Sequence, residues 1–267
     1  MTLSSGLTKP ERILPVMQER IWGSLHLNPW FPDLTHYDPL HKVGEVWFQP
    51  PGLPVLIKFL FATENLSVQV HPDDALAQQL GFPRGKTEMW HILRAEPGAQ
   101  IALGFREPVT PDQVRRAAAD GSIMSLLRWI PVHPGETWFI PAGAVHAIGA
   151  GITLCEIQQS SDLTYRLYDY GRGRPLHLDE SLRALNLAFQ SPGPETGDDP
   201  LVQCPYFQVN LMQVQGEIVL EDPVALAIAL EGTGFINGLP FEQGQVFRLP
   251  KGPLQLSGRA KVLTVSL

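Results

Sequence analysis

One spacing occurs twice in this chain and leaves the backbone little freedom. In GETWFIPAGAVH, Gly135 is followed after five residues by Pro141, after one more by Gly143, and after two more by His146. Gly244, Pro250, Gly252 and Gln255 repeat the pattern. Proline fixes one backbone dihedral and glycine accepts the conformations that other residues avoid, so Pro141-Ala142-Gly143 reads as a tight turn. It joins a short strand over Glu136–Ile140 to another that opens at His146, and it aims that histidine back across the fold. The 25 prolines and 24 glycines punctuate the rest of the chain in the same way, which favours many short strands and an all-β architecture.

A second stretch, LSVQVHPDDALAQQLGFPRGKTE, supplies partners for His146. Side chains two apart on a strand share a face, so Ser67, Gln69 and His71 point one way and Leu66, Val68 and Val70 the other. Pro72-Asp73-Asp74 ends the strand. Further on, Lys86, Glu88 and Trp90 share a face if their segment is extended. Gln69, His71, Glu88 and His146 are therefore candidate ligands of a mixed nitrogen and oxygen metal site, with Lys86 beside it. Two His, one Glu and one Gln suit Zn, and also Fe or Mn. A lone histidine is more often a packed residue than a ligand, and His26, His36, His41, His91, His133 and His177 are read as surface or packing residues.

The Gly135–His146 spacing is the second sequence motif of cupins. Together, LSVQVHPDD, GKTEMWHIL, PAGAVHAIG and QQSSDLTYRLYDYGR closely resemble the type I mannose-6-phosphate isomerases, in the same order. The resemblance runs through most of Pro15 to Leu187, with RIWG at Arg20–Gly23 and VGEVW at Val43–Trp47 similar to the family's opening segments. It implies two cupin (jelly-roll) barrels in tandem and one zinc ion per chain on Gln69, His71, Glu88 and His146. It also implies an active-site role for Arg166, which shares an extended face with Asp162 and Thr164. The implied reaction interconverts mannose 6-phosphate and fructose 6-phosphate through a cis-enediol. Arg166 suits a phosphate or an enediolate oxygen, Lys86 a phosphate, and Ser67 faces the same way as Gln69. The proton-transferring group stays open among Lys86, Glu156, Asp162 and a zinc-bound water. Two other classes compete. A metal-dependent cupin of other chemistry, such as a dioxygenase, fits less well because Gln69 fills an additional position. A non-enzymatic sugar-binding or regulatory paralogue fits less well because Lys86, Arg166 and every ligand are kept.

The expected organisation is a catalytic domain over 1–190 and a second, metal-less domain over 200–267, in which Gln255 stands where the first repeat has His146. SPGPETGDDP at Ser191–Pro200 reads as the linker. A small helical insertion near 110–129 begins with Thr110 as cap and Pro111 in the first turn, and Ser122–Trp129 offers a second helix. A further helix is expected over Asp179–Leu187, capped by Asp179. Trp22, Trp30 and Trp47 are expected to cover a barrel mouth. Lys58 interrupts the apolar run VLIKFLFA and is read as snorkelling at a sheet edge. The net charge of −7 argues against a nucleic-acid surface, so a phosphorylated substrate would need a local cationic pocket. Two cysteines make no disulfide scaffold. No apolar signal segment opens the chain, and Val224–Leu230 is too short to span a bilayer. The expectation is a cytoplasmic monomer or homodimer that acts on a small sugar phosphate and takes no nucleic-acid or membrane partner.

Overall fold

The computed structural model describes residues 7–34, 40–196 and 200–267; the expectation for His36 lies outside them. In chain order the first elements are β1 (Glu11–Ile13), β2 (Val16–Ser24), β3 (Val43–Phe48), β4 (Val55–Ala62), β5 (Val68–Val70), α1 (Asp74–Gln79), β6 (Glu88–Ala95) and β7 (Gln100–Phe105). The insertion follows as α2 (Pro111–Asp120) and α3 (Ile123–Leu126). Then come β8 (Leu127–Pro131), β9 (Thr137–Ile140), β10 (His146–Ile148), β11 (Ile152–Gln159), β12 (Tyr165–Tyr168) and α4 (Leu178–Ala184). The last part holds β13 (Val202–Gln203), β14 (Gln208–Leu220), β15 (Leu226–Ile236), β16 (Leu239–Glu242), β17 (Val246–Arg248) and β18 (Leu254–Ser266). None of the helices is long and apolar enough to cross a membrane among the described residues.

The strands form three antiparallel sheets. One runs β2-β3-β4-β11-β6-β9, the second β12-β5-β10-β7-β8, and the third β1-β17-β15-β18-β14-β13 with β16 on β15. The first sheet is the middle layer. Its inner face sends Leu60, Trp90, Ile92, Trp138 and Leu154 into a cluster with Ile101, Leu103 and Ile148 of the second sheet. Its outer face sends Phe48, Ile57, Phe59, Cys155 and Ile157 against Val209, Leu226, Ile228, Leu263 and Val265 of the third. A strand covered on both faces has no polar side to show, which is why β4 reads as a near-continuous apolar run. The outer face of the second sheet carries Val68, Val70, Ala102, Ala147 and Leu167 and is covered by Val114, Ala117, Ala118 and Ile123 of the helical insertion. The third sheet has long, curling strands with a cluster of its own around Ala229, Phe241, Phe247, Leu256 and Val262. It takes its edge strand β1 from the N-terminal end of the chain, so the two parts share strands as well as a core.

Several local expectations are corrected. The α2 helix starts as read, with Thr110 and Gln113 forming a reciprocal capping box. The second helix stops at Leu126, because Leu127 begins a strand that pairs with β7. Asp179 does not cap α4, whose cap position is His177; its carboxylate pairs instead with Arg115 at 2.6 Å. Trp30 does not cover a mouth: it is buried between the first and third sheets, where its Nε1–H donates to the Leu230 carbonyl at 2.7 Å.

Candidate metal centre

Register brings the site together. In the second sheet Arg166 pairs with Gln69, Gln69 with His146, and His146 with Leu103. Residues directly opposite one another in an antiparallel sheet put their side chains on one face, and Leu103 marks that face as the barrel interior. In the first sheet Glu88 lies between Gln158 and Ile140, and Glu156 between Lys58 and Trp90. The turn before His146 is built as its sequence demands. Gly143 has a φ of +87°, and its N–H donates to the His71 carbonyl at 2.9 Å. The turn thus holds one histidine's chain against the other's.

His71, Glu88 and His146 are all buried, and one potential ligand atom from each lies within 4.8 Å of the others. His71 Nε2 is 3.6 Å from Glu88 Oε2, and His146 Nε2 is 3.5 Å from Glu88 Oε1. Each ring is oriented by its other nitrogen: His71 Nδ1 is 2.9 Å from the Leu163 carbonyl and His146 Nδ1 is 2.9 Å from the Ala144 carbonyl. A carbonyl only accepts, so both Nδ1 atoms carry the proton and both Nε2 lone pairs face inward. Those Nε2 atoms and Glu88 Oε1 have no hydrogen-bond partner among the described residues. Three buried, unpartnered donor atoms converging on one point would be costly if left so, and they fit a divalent cation.

The electrostatics agree. Burial pushes the His146 imidazole down to about 4. Burial, then the charges of Lys86 and His146, hold His71 well below the usual histidine range. Both rings are therefore neutral, the form that ligates metal. Burial and then the neighbouring Glu156 carboxylate raise Glu88, with Lys86 opposing them; a cation between the three residues would reverse that rise. Burial opposes the charge on Lys86 as well, but Glu88 and Glu156 outweigh it and hold the ammonium firmly protonated. Its Nζ is 3.0 Å from Glu88 Oε2 and 3.8 Å from Glu156 Oε1.

Lys86 also lines a cavity of about 520 Å³ beside the trio, shared with Ser67, Gln69, Glu156, Asp162, Thr164 and Arg166. Every site residue expected outside the buried trio thus reaches one space. Gln69 stands across from His146 and faces this cavity. Arg166 donates from Nη1 to the Pro175 carbonyl at 2.6 Å, and its backbone N–H donates to His177 Nδ1 at 3.1 Å. Burial, and then Arg174, lower its pKa from the usual value.

The sequence reading missed part of the wall. Lys58 is not at a sheet edge: β4 lies between β3 and β11, and its Nζ sits 3.1 Å from Glu156 Oε1 and 4.8 Å from the centre of the Trp47 ring. Strand alternation puts Lys58 with Leu60 on the inner face of β4, turned to the cavity and away from the third sheet. Glu45 accepts from Trp47 Nε1 at 2.7 Å and from Arg20 at 3.0 Å. With Arg172 and Arg174, six cations (Arg20, Lys58, Lys86, Arg166, Arg172 and Arg174) face four carboxylates (Glu19, Glu45, Glu156 and Asp162) in the cavity. These cations give an anionic substrate a place to bind in a chain whose net charge is −7, and Glu88, Glu64 and Asp169 pair with Lys86, Arg172 and Arg174 from outside the lining.

No protein-family model matches the chain. The mannose-6-phosphate isomerase of Streptococcus mutans serotype c is 40% identical over 201 residues, which cover 69% of this chain and 63% of that protein. Mannose-6-phosphate isomerase ManA of Bacillus subtilis (strain 168) is 31% identical across 97% of this chain and 99% of its own length. The crystal structure of the mannose 6-phosphate isomerase from Bacillus subtilis matches with a TM-score of 0.85 at 25% identity, covering 97% of this chain and all of that one (100%).

Proposed function

Because the chain belongs to the mannose-6-phosphate isomerase family, we propose that it interconverts mannose 6-phosphate and fructose 6-phosphate with one zinc ion held by His71, Glu88, His146 and Gln69. The observation that carries the metal is the convergence of two unpartnered Nε2 atoms and a buried carboxylate. Imidazole and carboxylate donors suit zinc, as they also suit Fe or Mn. When bound, zinc would supply Lewis-acid polarisation of the substrate carbonyl.

The chain's own residues do the rest. The cations of the cavity hold the phosphate and the Ser67 hydroxyl hydrogen-bonds the substrate. Lys86, kept protonated by Glu88 and Glu156, serves as a fixed positive charge and not as a base. Glu156 is the carboxylate proposed to carry a proton between C2 and C1 of the sugar. Burial works against its ionisation, but Lys58 and Lys86 outweigh burial and keep it ionised. Asp162 is exposed and sits at the mouth of the cavity, a poorer place for a proton shuttled away from water. Removing a proton next to the carbonyl gives a cis-enediol whose developing negative oxygen meets the Arg166 guanidinium.

The test is a coupled assay on mannose 6-phosphate with metal-replete protein, with protein stripped by a chelator, and with stripped protein resupplied with zinc. Turnover should be present, lost and restored in that order. Metal-replete protein that leaves mannose 6-phosphate untouched would end the proposal.

A further inference from the structure

Short hydrogen bonds stitch together the segments that carry His71, Glu88 and His146. Besides the Gly143-to-His71 contact, the Lys86 N–H donates to the Pro72 carbonyl at 3.0 Å and the Ala142 N–H to Thr87 Oγ1 at 3.2 Å. One side chain sits at the hub. Asp74 Oδ1 accepts from the Gly85 N–H at 2.7 Å and from Gln159 Nε2 at 2.9 Å. Gln159, itself buried, accepts the Thr87 N–H on its Oε1 at 2.8 Å. The fit is close: a Cβ on Gly85 would stand 2.4 Å from the Asp73 carbonyl carbon and from the Pro72 oxygen. The Tyr206 hydroxyl, on the loop between β13 and β14, lies near enough for the Asp74 charge to raise its pKa, after burial. An aspartate in the first turn of a helix favours that turn by charge alone, but that effect needs none of these partners.

We infer that Asp74 is a positioning residue for the metal centre. Through Gly85 and through the Gln159–Thr87 link it fixes the distance between the segment bearing His71 and the segment bearing Glu88. The inference rests on reading the trio as a metal site.

The test is zinc binding to stripped protein in competition with a chromophoric chelator, for the unaltered chain and four variants: Asp74→Ala, Asp74→Asn, Gln159→Glu and the double variant Asp74→Asn/Gln159→Glu. Gln159→Glu keeps the acceptor for Thr87 but turns a carboxylate on Asp74; Asp74→Asn in that background returns a donor. Losing a group that orients a ligand typically weakens metal affinity by about 10–100-fold. That loss is expected in Asp74→Ala and Gln159→Glu, with a smaller loss in Asp74→Asn and partial recovery in the double variant. At saturating zinc, kcat on mannose 6-phosphate should fall while KM holds. A purely structural Asp74 would lower the melting temperature of the metal-free forms and leave zinc affinity alone. Unchanged affinity in Gln159→Glu and in either folded Asp74 variant would overturn the inference. Failure of the unaltered chain to bind zinc is a different result, and removes the metal site on which the inference stands.

Discussion

Lys58 and Glu156 are direct cross-strand partners, with Nζ and Oε1 3.1 Å apart and both side chains almost wholly out of water, at 5% and 4% exposure. A pair so buried is costly to break one-sidedly, because Glu156 would keep only the more distant Lys86, 3.8 Å away, as a counter-charge; one-sided breaks of buried pairs run to about 3–5 kcal/mol. Lys58→Met should therefore destabilise the chain by an amount of that order, and Lys58→Met/Glu156→Gln should recover much of it. Urea unfolding of the single and double variants closes the cycle. Additive losses would mean that the two groups do not sense each other.

Arg166 has its guanidinium oriented by the Pro175 carbonyl and its backbone held by His177. A charge aimed at a developing enediolate gains as the reaction proceeds, so Arg166→Ala should lower kcat by about 10²–10³-fold, as for one lost oxyanion donor, and move KM less. Arg166→Lys should recover little, since an ammonium lacks the planar fork. Steady-state kinetics on samples of equal metal content checks this. A rise in KM at constant kcat would reassign Arg166 to ground-state phosphate binding.

His91 is buried beside Thr137, with Nδ1 2.9 Å from the hydroxyl. Burial, then the Lys261 charge, push it down to about 4 from an ordinary 6.5. Between those values the unfolded chain takes up a proton that the folded chain refuses. Its contribution is thus complete above about pH 6.5 and is lost as pH falls towards 4, by up to about 3 kcal/mol at 1.36 kcal/mol per unit. Unfolding free energy measured from pH 7 to 4 should fall less steeply in His91→Gln. Parallel curves would show that other groups set the slope.

Gln255 stands where the first repeat has its histidine, and its side chain is exposed. Gln255→Ala should leave isomerase activity unchanged and alter stability by no more than about 0.5 kcal/mol, as for most surface changes. Loss of turnover in the folded variant would put a second working site in the third sheet.

Much of the candidate site's geometry was legible because it depends on local rules. The Pro141–Gly143 turn dictates where His146 points, and strand alternation puts Ser67, Gln69 and His71 on one side whatever they pack against. Lys58 was misread because its partner lies far along the chain: it points into the barrel, where Glu156 of β11 stands opposite it. Trp30 was misplaced because the third sheet, built mainly from residues beyond 200, covers it. Arg172 and Arg174 sit in a loop with no periodicity, so nothing in the sequence orients them. Asp74 looked like turn chemistry, and its partners Gly85 and Gln159 lie 11 and 85 residues away.

The metal centre itself is tested most directly by elemental analysis of the purified chain beside His71→Ala and His146→Ala. About one zinc per unaltered chain is expected, by the logic of a mononuclear site, with most of it lost in each folded variant. Full metal retention in both variants, or no divalent metal in the unaltered chain after growth and purification with zinc, would contradict the assignment of His71, Glu88 and His146 as its ligands.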